Sequence, residues 1–162
     1  MPLPERYNSG FNLGVGGAVV KDGRLLLVRR ASRRGRGNWQ VPGGFVERDE
    51  AIEDAVLREV HEESNITAKV VGVLGLRSRY DADVGNSTYV VMLLQPVSGE
   101  PKPDDKEVDR AEYFTLDEIN ALEQVPAVNL EIAKRALADD QRLLNPMTVA
   151  YVSGGAYTLF VG

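Results

Sequence analysis

Three glutamates, Glu59, Glu62 and Glu63, crowd into the stretch REVHEESNI, Arg58 to Ile66, with an arginine and the chain's single histidine. A charge run at the end of a helix is ordinarily a solvated surface. Here the helical period argues otherwise. At about 100° per residue with Glu59 as origin, Ile52, Ala55 and Val56 fall near +20°, −40° and +60°, and Glu62 and Glu63 near −60° and +40°. The stripe that is apolar in the first two turns becomes acidic in the last two, so it continues inward or along a cleft floor. Ionised carboxylates crowded there repel one another and are costly to desolvate. A divalent cation among them removes both penalties, and an oxygen-only donor set on a cysteine-free chain favours a hard ion, Mg²⁺ with Mn²⁺ as the alternative.

Arg58 has two readings. Asp54 and Glu62 each lie one turn away and offer modest surface pairs, while Glu50, two turns back, reaches the guanidinium if both side chains extend. His61, in spite of being the only histidine, reads as a surface or packing residue.

The elements that must position these groups follow from periodicity. Leu13 to Val20 reads as a strand, Asp22-Gly23 as a hairpin turn, and Arg24 to Arg30 as a second strand. An Arg- and Gly-rich loop, ASRRGRGNW, leads to Pro42-Gly43-Gly44, which breaks regular structure. A helix is predicted from about Glu50 to Ser64, strands over Ile66 to Leu76 and Thr88 to Val97, and a weaker strand over Ala111 to Thr115. Short helices follow at Leu116 to Glu123 and Asn129 to Ala138, and TVAYVSGGAYTLFV reads as a closing hairpin. Strands, helix, strands, helices in that order indicate an α+β domain. The expectation is one domain over residues 1–162, with 140–162 a C-terminal extension forming a β-hairpin.

At 162 residues the chain is long enough to bury a sizeable core. No window has the apolar length of a membrane span, and MPLPERYNSG lacks the apolar core of a signal peptide. Absence of cysteine excludes disulfides, thiolate metal sites and cysteine nucleophiles, and fits a cytoplasmic setting. A net charge of -5 argues against a general nucleic-acid-binding protein, although a local basic patch remains.

Gly44, five residues, Glu50, seven residues, then Arg58-Glu59-Val60-His61-Glu62-Glu63-Ser64-Asn65-Ile66 resembles the Nudix box, GX5EX7REUXEEXGU with U aliphatic. The one departure is Asn65, where the pattern has its second glycine. LLLVRR…GNWQVPGGFVE and EYFTLDEI extend the resemblance over Gly14 to Ala121. It implies an α/β/α sandwich, a mixed β-sheet between helices, and hydrolysis of a nucleoside diphosphate linked to another group by water attack on phosphorus. It further implies that Glu59, Glu62 and Glu63, with the Gly44 carbonyl, hold the metal. Arg58, held by Glu50, would orient a ligating carboxylate, and Glu47 would add a carboxylate or a salt bridge. The general base is either a box glutamate or an acid in a distant loop, for which Glu107 in KPDDKEVDRAEYF is the candidate.

Substrate signals are thinner. Arg29, Arg30, Arg33, Arg34 and Arg36 suit phosphate contacts or simply a soluble loop. Of these, Arg29 and Arg34 are taken as substrate-binding candidates, with Trp39 as a stacking platform or a core residue and Glu47 beside them. Tyr80, Asp81 and Asp83 lie where such relatives often carry specificity. The expected substrate is a small nucleotide, with a nucleotide sugar or ADP-ribose ahead of a nucleoside triphosphate. The competing reading of another class is a non-catalytic nucleotide sensor on the same fold, and a third is an enzyme trimming RNA ends. The closing hairpin either supports a homodimer or covers a sheet edge, and the sequence leaves both open.

Overall fold

The computed structural model describes residues 11–32, 34–83 and 85–162. Strands β1 (Phe11–Lys21) and β2 (Arg24–Arg30) form a hairpin through Asp22 and Gly23, both at positive φ, 51° and 72°. Two short strands follow, β3 (Trp39–Gln40) and β4 (Gly43–Phe45), then helix α1 (Ile52–Ser64). Strands β5 (Thr67–Asp81) and β6 (Gly85–Ser98) make a long antiparallel pair, and β7 (Val108–Phe114) leads to α2 (Leu116–Ala121) and α3 (Ala127–Ala136). The chain closes with β8 (Asn145–Ala150) and β9 (Ala156–Val161).

The sheet runs β3-β2-β1-β6-β5, with β4 also on β1 and β7 also on β2. Strand β1 lies parallel to β6 along its length, whereas its other edge is shared. Residues Gly14 to Gly16 pair with β4, and Val20 and Lys21 pair with β2. The sheet therefore forks beside Gly17, whose N–H is taken by the Pro42 carbonyl at 2.8 Å. At the fork the Gly43 N–H turns to α1, where Glu63 accepts it at 3.1 Å. The carboxylates of α1 lie against that opening.

Alternation along the strands sorts the core into two layers. Val15, Val19, Leu26, Met92 and Leu94 face α1 and meet Ala55, Val56 and Val60. Ala18, Leu25, Leu27, Val91 and Leu93 face the other way, toward Ile119 of α2 and Ile132 and Ala133 of α3. This is the expected mixed sheet between helices. Helix α2 begins with a capping box, Thr115 accepting from the Glu118 N–H and the Glu118 side chain from the Thr115 N–H.

Several boundaries move. Pro42-Gly43-Gly44 does not break the sheet, because Gly43 and Gly44 pair with Gly16 and Val15. Helix α1 starts at Ile52 and not at Glu50, whose side chain is committed to the preceding loop. Strands β5 and β6 run past the predicted ends at Leu76 and Thr88, since Arg77 to Asp81 keep pairing with Tyr89 to Gly85 despite their polarity. The predicted closing hairpin is present as β8 and β9.

Candidate active site

Helix α1 presents its acidic end to the fork, but not uniformly. Glu63 is buried at 4% exposure, and the Glu59 side chain is 12% exposed. The Glu62 side chain is 55% exposed. This corrects the expectation that all three share the inward stripe. The buried line runs through Val56, Val60 and Glu63, and Glu62 falls on its flank. His61 is exposed, as expected of a surface residue.

Glu63 accepts a hydrogen bond from the Gly43 N–H at 3.1 Å. Burial pushes its carboxyl up to about 8, and the charges of Glu59, Glu107 and Asp104 add to the shift against the opposing Gly43 bond. Glu59 lies directly against Gly44, close enough that a β-carbon on that residue would overlap the carboxylate. Burial raises the Glu59 carboxyl as well, opposed by Arg58 and reinforced by Glu62 and Glu107.

Arg58 organises the cluster. Its Nε and Nη2 donate to the two oxygens of Glu50 at 3.0 and 2.6 Å, and Nη2 also donates to the Phe45 carbonyl at 3.2 Å. Nη1 donates to Glu59 at 2.9 Å and to Glu62 at 3.3 Å. A guanidinium has five N–H groups and no acceptor, so every donor of Arg58 is used. The hydrogen bonds to Glu50 and Glu59 hold its pKa above the ordinary arginine value. Glu50 is held below the usual carboxylate range, first by Arg58 and then by the Glu47 N–H, which it accepts at 2.9 Å. The Glu47 side chain itself is exposed, so its backbone supports Glu50.

Glu107 comes to the same cluster from far along the chain, near enough for its charge to act on both Glu59 and Glu63. The loop is shaped by Asp104, whose Oδ1 accepts from the N–H groups of Lys106, Glu107 and Val108 at 2.9, 3.0 and 3.0 Å. The Glu107 carbonyl accepts from the Ala31 N–H at 2.8 Å, and its side chain is exposed. Among the described residues no three acidic or histidine side chains stand together at metal-ligand spacing. The chemistry of the donors still fits a hard cation. They are oxygens only, one is a desolvated carboxylate, and a single guanidinium offsets the others.

The arginine loop is more committed than its composition indicates. Arg29 makes two hydrogen bonds to Asp109, at 2.8 and 2.9 Å. Arg30 donates to the Arg34 carbonyl and to Ser32 Oγ, both at 2.9 Å, and so shapes the loop. Arg34 and Arg36 are exposed, and Arg33 lies outside the described residues. Arg29, Arg30, Arg36 and Trp39 line a cavity of about 370 Å³ whose wall also carries Asp109 and Glu123. Trp39 is buried, packed edge-on against Phe114 at 5.1 Å, with the guanidiniums of Arg29 and Arg110 each 5.8 Å from its ring. That packing favours the core reading of Trp39 over a stacking platform. Tyr80 is 78% exposed near the end of β5.

Sequence reasoning missed Arg77 and Tyr89. Arg77 donates to Ser87 Oγ at 2.8 Å and lies 5.2 Å over the Tyr89 ring, while its buried Nε has no hydrogen-bond partner among the described residues. Burial and the neighbouring Arg79 lower its pKa. Tyr89 turns its hydroxyl inward over Gly16, and burial together with the nearby Glu63 raises that hydroxyl's pKa. Beyond Arg77 a second cavity of about 220 Å³ opens between β5 and α3, lined by Leu74, Leu76, Val91, Val128 and Ile132. The missed signal was an arginine continuing an apolar strand in register, one residue past where the strand was predicted to stop.

The chain is similar to known proteins in both sequence and fold. The sequence model of the NUDIX domain matches residues 10–136. The ADP-ribose pyrophosphatase of Methanocaldococcus jannaschii is 37% identical over 111 residues, covering 68% of this chain and 65% of that protein. A MutT-like protein of Streptomyces ambofaciens is 35% identical over 121 residues, 74% of each chain. The crystal structure of a MutT NUDIX hydrolase from Burkholderia pseudomallei superposes with a TM-score of 0.63 at 31% identity, covering 78% of this chain and 95% of that one. The chain spans just under two thirds of the archaeal relative's length and less than half of two plant relatives. A family model matching most of the sequence, and a box whose arginine and glutamates converge at the fork of the sheet, establish that the chain belongs to the Nudix family.

Proposed function

We propose that the protein is a divalent-metal-dependent pyrophosphohydrolase that cleaves the diphosphate of a nucleoside diphosphate derivative, with ADP-ribose or a nucleotide sugar as substrate. The observation that carries this reading is Arg58, with all five donors spent on Glu50, Glu59, Glu62 and the Phe45 carbonyl beside a buried Glu63. A binding module gains nothing from concentrating acid where it is expensive. The similarity to an archaeal ADP-ribose pyrophosphatase supports the choice of substrate.

Glu59, Glu62 and Glu63, with the Gly44 backbone, are the groups that would hold Mg²⁺, or Mn²⁺ in its place. When bound, the ion neutralises the diphosphate and acidifies a water. Arg58 keeps the Glu59 carboxylate turned toward Gly44, and Glu50 keeps Arg58 in place. Glu107, whose charge reaches both Glu59 and Glu63, would accept the proton of the attacking water as the water oxygen bonds to phosphorus and the bridging P–O bond breaks. Arg34 and Arg36 meet the substrate's outer phosphate charge, whereas Arg29 and Glu47 serve the scaffold. Arg77, whose Nε has no partner among the described residues, and the cavity that it lines receive the non-phosphate part of the substrate. A cytoplasmic setting belongs to the same reading and rests on the cysteine-free composition. Among the described residues no helix is long and apolar enough to cross a membrane.

The deciding experiment is turnover of a panel of ADP-ribose, nucleotide sugars, dinucleotides and nucleoside triphosphates with Mg²⁺. Release of nucleoside monophosphate from the first two, abolished by Glu63→Gln, is the expected result. Preference for triphosphates would move the substrate class, and tight binding with no turnover of any member would replace the enzyme by a nucleotide sensor.

A further inference from the structure

Tyr89 stands on β6 opposite Gly14 of β1. Its ring runs along β1 and needs the glycines beneath it. A β-carbon on Gly14 would come within 3.3 Å of Tyr89 Cδ2, and one on Gly16 would overlap the hydroxyl. Gly16 in turn pairs with Gly43, whose N–H donates to Glu63 at 3.1 Å. The hydroxyl therefore lies one strand pairing away from a candidate metal ligand, close enough for the Glu63 charge to act on it. Above the ring, the Arg77 guanidinium sits 5.2 Å from its centre, is anchored through Nη2 on Ser87 Oγ, and lines the cavity of about 220 Å³. One side chain thus links that cavity to the fork of the sheet.

Packing alone does not ask for a tyrosine here. Phenylalanine would fill the same trough and carry the same guanidinium, with no hydroxyl to desolvate. The described residues give the hydroxyl no hydrogen-bond partner, and a desolvated polar group left unpaired costs free energy. Burial and the Glu63 charge both favour its protonated form, so it meets the acidic cluster as a neutral donor. The acceptor that this donor lacks is what a substrate brings when its phosphate oxygens lie between the cavity and the carboxylates.

We propose that Tyr89 touches the substrate, its hydroxyl donating a hydrogen bond to a non-bridging oxygen of the phosphate nearest the nucleoside, with Arg77 as the positioning residue that holds the ring. The proposal rests on the pyrophosphohydrolase reading above and adds to it the register of the diphosphate. With the nucleoside in the cavity that Arg77 lines, the phosphate under the hydroxyl is the one beside Glu63. The water oxygen bonds to that phosphorus, its proton passes to the base, and the bridging oxygen leaves with the outer phosphate. The new oxygen ends in the nucleoside monophosphate.

The test uses the full chain with Mg²⁺ in ¹⁸O-water, on ADP-ribose or the nucleotide sugar that it turns over fastest. Wild type is expected to place the label in the nucleoside monophosphate. Tyr89→Phe is expected to lose about tenfold or more in kcat/KM, the worth of a hydrogen bond to a charged group. It should also divide the label between the two products, and keep or exceed the wild-type melting temperature. Label in the sugar phosphate from the wild type would overturn the register. An unchanged Tyr89→Phe, or a slower one that still labels a single product, would overturn the contact and leave Tyr89 to packing or to bracing Glu63. A wild type that turns over none of these substrates removes the enzyme reading for them, and calorimetric titration with α,β-methylene-ADP then decides the contact alone. Weaker binding by Tyr89→Phe upholds it. Equal binding, or none by the wild type, overturns it.

Discussion

Glu50 and Arg58, eight residues apart, are joined by two hydrogen bonds of 3.0 and 2.6 Å that bridge the loop before α1 to the second turn of the helix. Glu50 also accepts from the Glu47 N–H, so one carboxylate fixes both the path of the loop and the orientation of the guanidinium. Through Arg58 the constraint passes to Glu59, at 2.9 Å. The chain from loop to ligand candidate is two side chains long.

Glu50→Gln tests it. An amide presents one oxygen and one NH₂ to a guanidinium, so the fork-to-fork geometry is lost while size is kept. A loss of about 10–100-fold in kcat is expected, with KM changed by only a few-fold, as for residues that orient metal ligands. Arg58→Lys should be no better, since an ammonium cannot bridge Glu50, Glu59 and the Phe45 carbonyl from one plane. Steady-state kinetics on the best substrate decide it, and an unchanged kcat in Glu50→Gln would reduce the pair to a structural brace.

Adjacent glycines should separate fold from function. A β-carbon on Gly44 would lie 2.5 Å from the Glu59 carboxyl carbon, whereas one on Gly43 would lie 2.1 Å from the Val15 carbonyl oxygen. A side chain can yield and a paired backbone cannot. Gly44→Ala is expected to keep its melting temperature within a few degrees and lose most activity. Gly43→Ala is expected to lose about 2 kcal/mol or more of stability, as overpacking does. Thermal melts beside activity assays on the two variants check the contrast.

Asn65 occupies the left-handed region at φ 64° and ψ 13°, and its N–H closes the helix on the His61 carbonyl at 2.9 Å. The position therefore asks for a glycine on backbone grounds, but asparagine tolerates this region and here adds a hydrogen bond from Nδ2 to the Glu100 carbonyl at 3.2 Å. Asn65→Gly gains backbone ease, loses that bond and enlarges unfolded-chain entropy, so the net change should be within about 0.5 kcal/mol. Asn65→Ala has only losses and should cost about 1–2 kcal/mol. Chemical denaturation of the pair measures both.

Legibility in the sequence followed the range of the interactions. The strands and α1 were readable because alternation and helical period are local, and the box was readable because its spacing is fixed along one helix. The Arg58–Glu50 contact was reachable by extending two side chains on that same segment. Glu62 was misplaced because 100° steps locate a stripe and not its centre, and the packing of Val60 into the core rotated the stripe toward Glu63. In the sequence Arg29 is legible only as a phosphate contact or a solubilising loop residue, because its partner Asp109 arrives only when β2 pairs with β7, 80 residues away. Arg77 and Tyr89 went unseen for a related reason, since their meeting depends on the register of β5 against β6.

Glu63 gives the protein a pH dependence whose sign is fixed. Its folded-state pKa of about 8 stands above the unfolded value of about 4.3, so folding favours the protonated form. The stability that this group allows is fully present below about pH 4.3 and is lost progressively as pH rises toward 8. In chelator the melting temperature should therefore fall across that window more steeply than the other groups explain. Glu63→Gln should flatten the fall and raise the metal-free melting temperature at pH 8.5, by about 2–4 °C for each kcal/mol recovered, while turnover disappears. A cation binds the ionised carboxylate and must displace its proton below pH 8, so Mg²⁺ should stabilise the wild type more at pH 8.5 than at pH 6, and Glu63→Gln little at either. Melting curves with chelator and with Mg²⁺ at the two pH values settle it. A wild type whose metal-free stability is flat over this range would mean that Glu63 is solvated in the free protein and not held in the dry position that the Gly43 N–H marks.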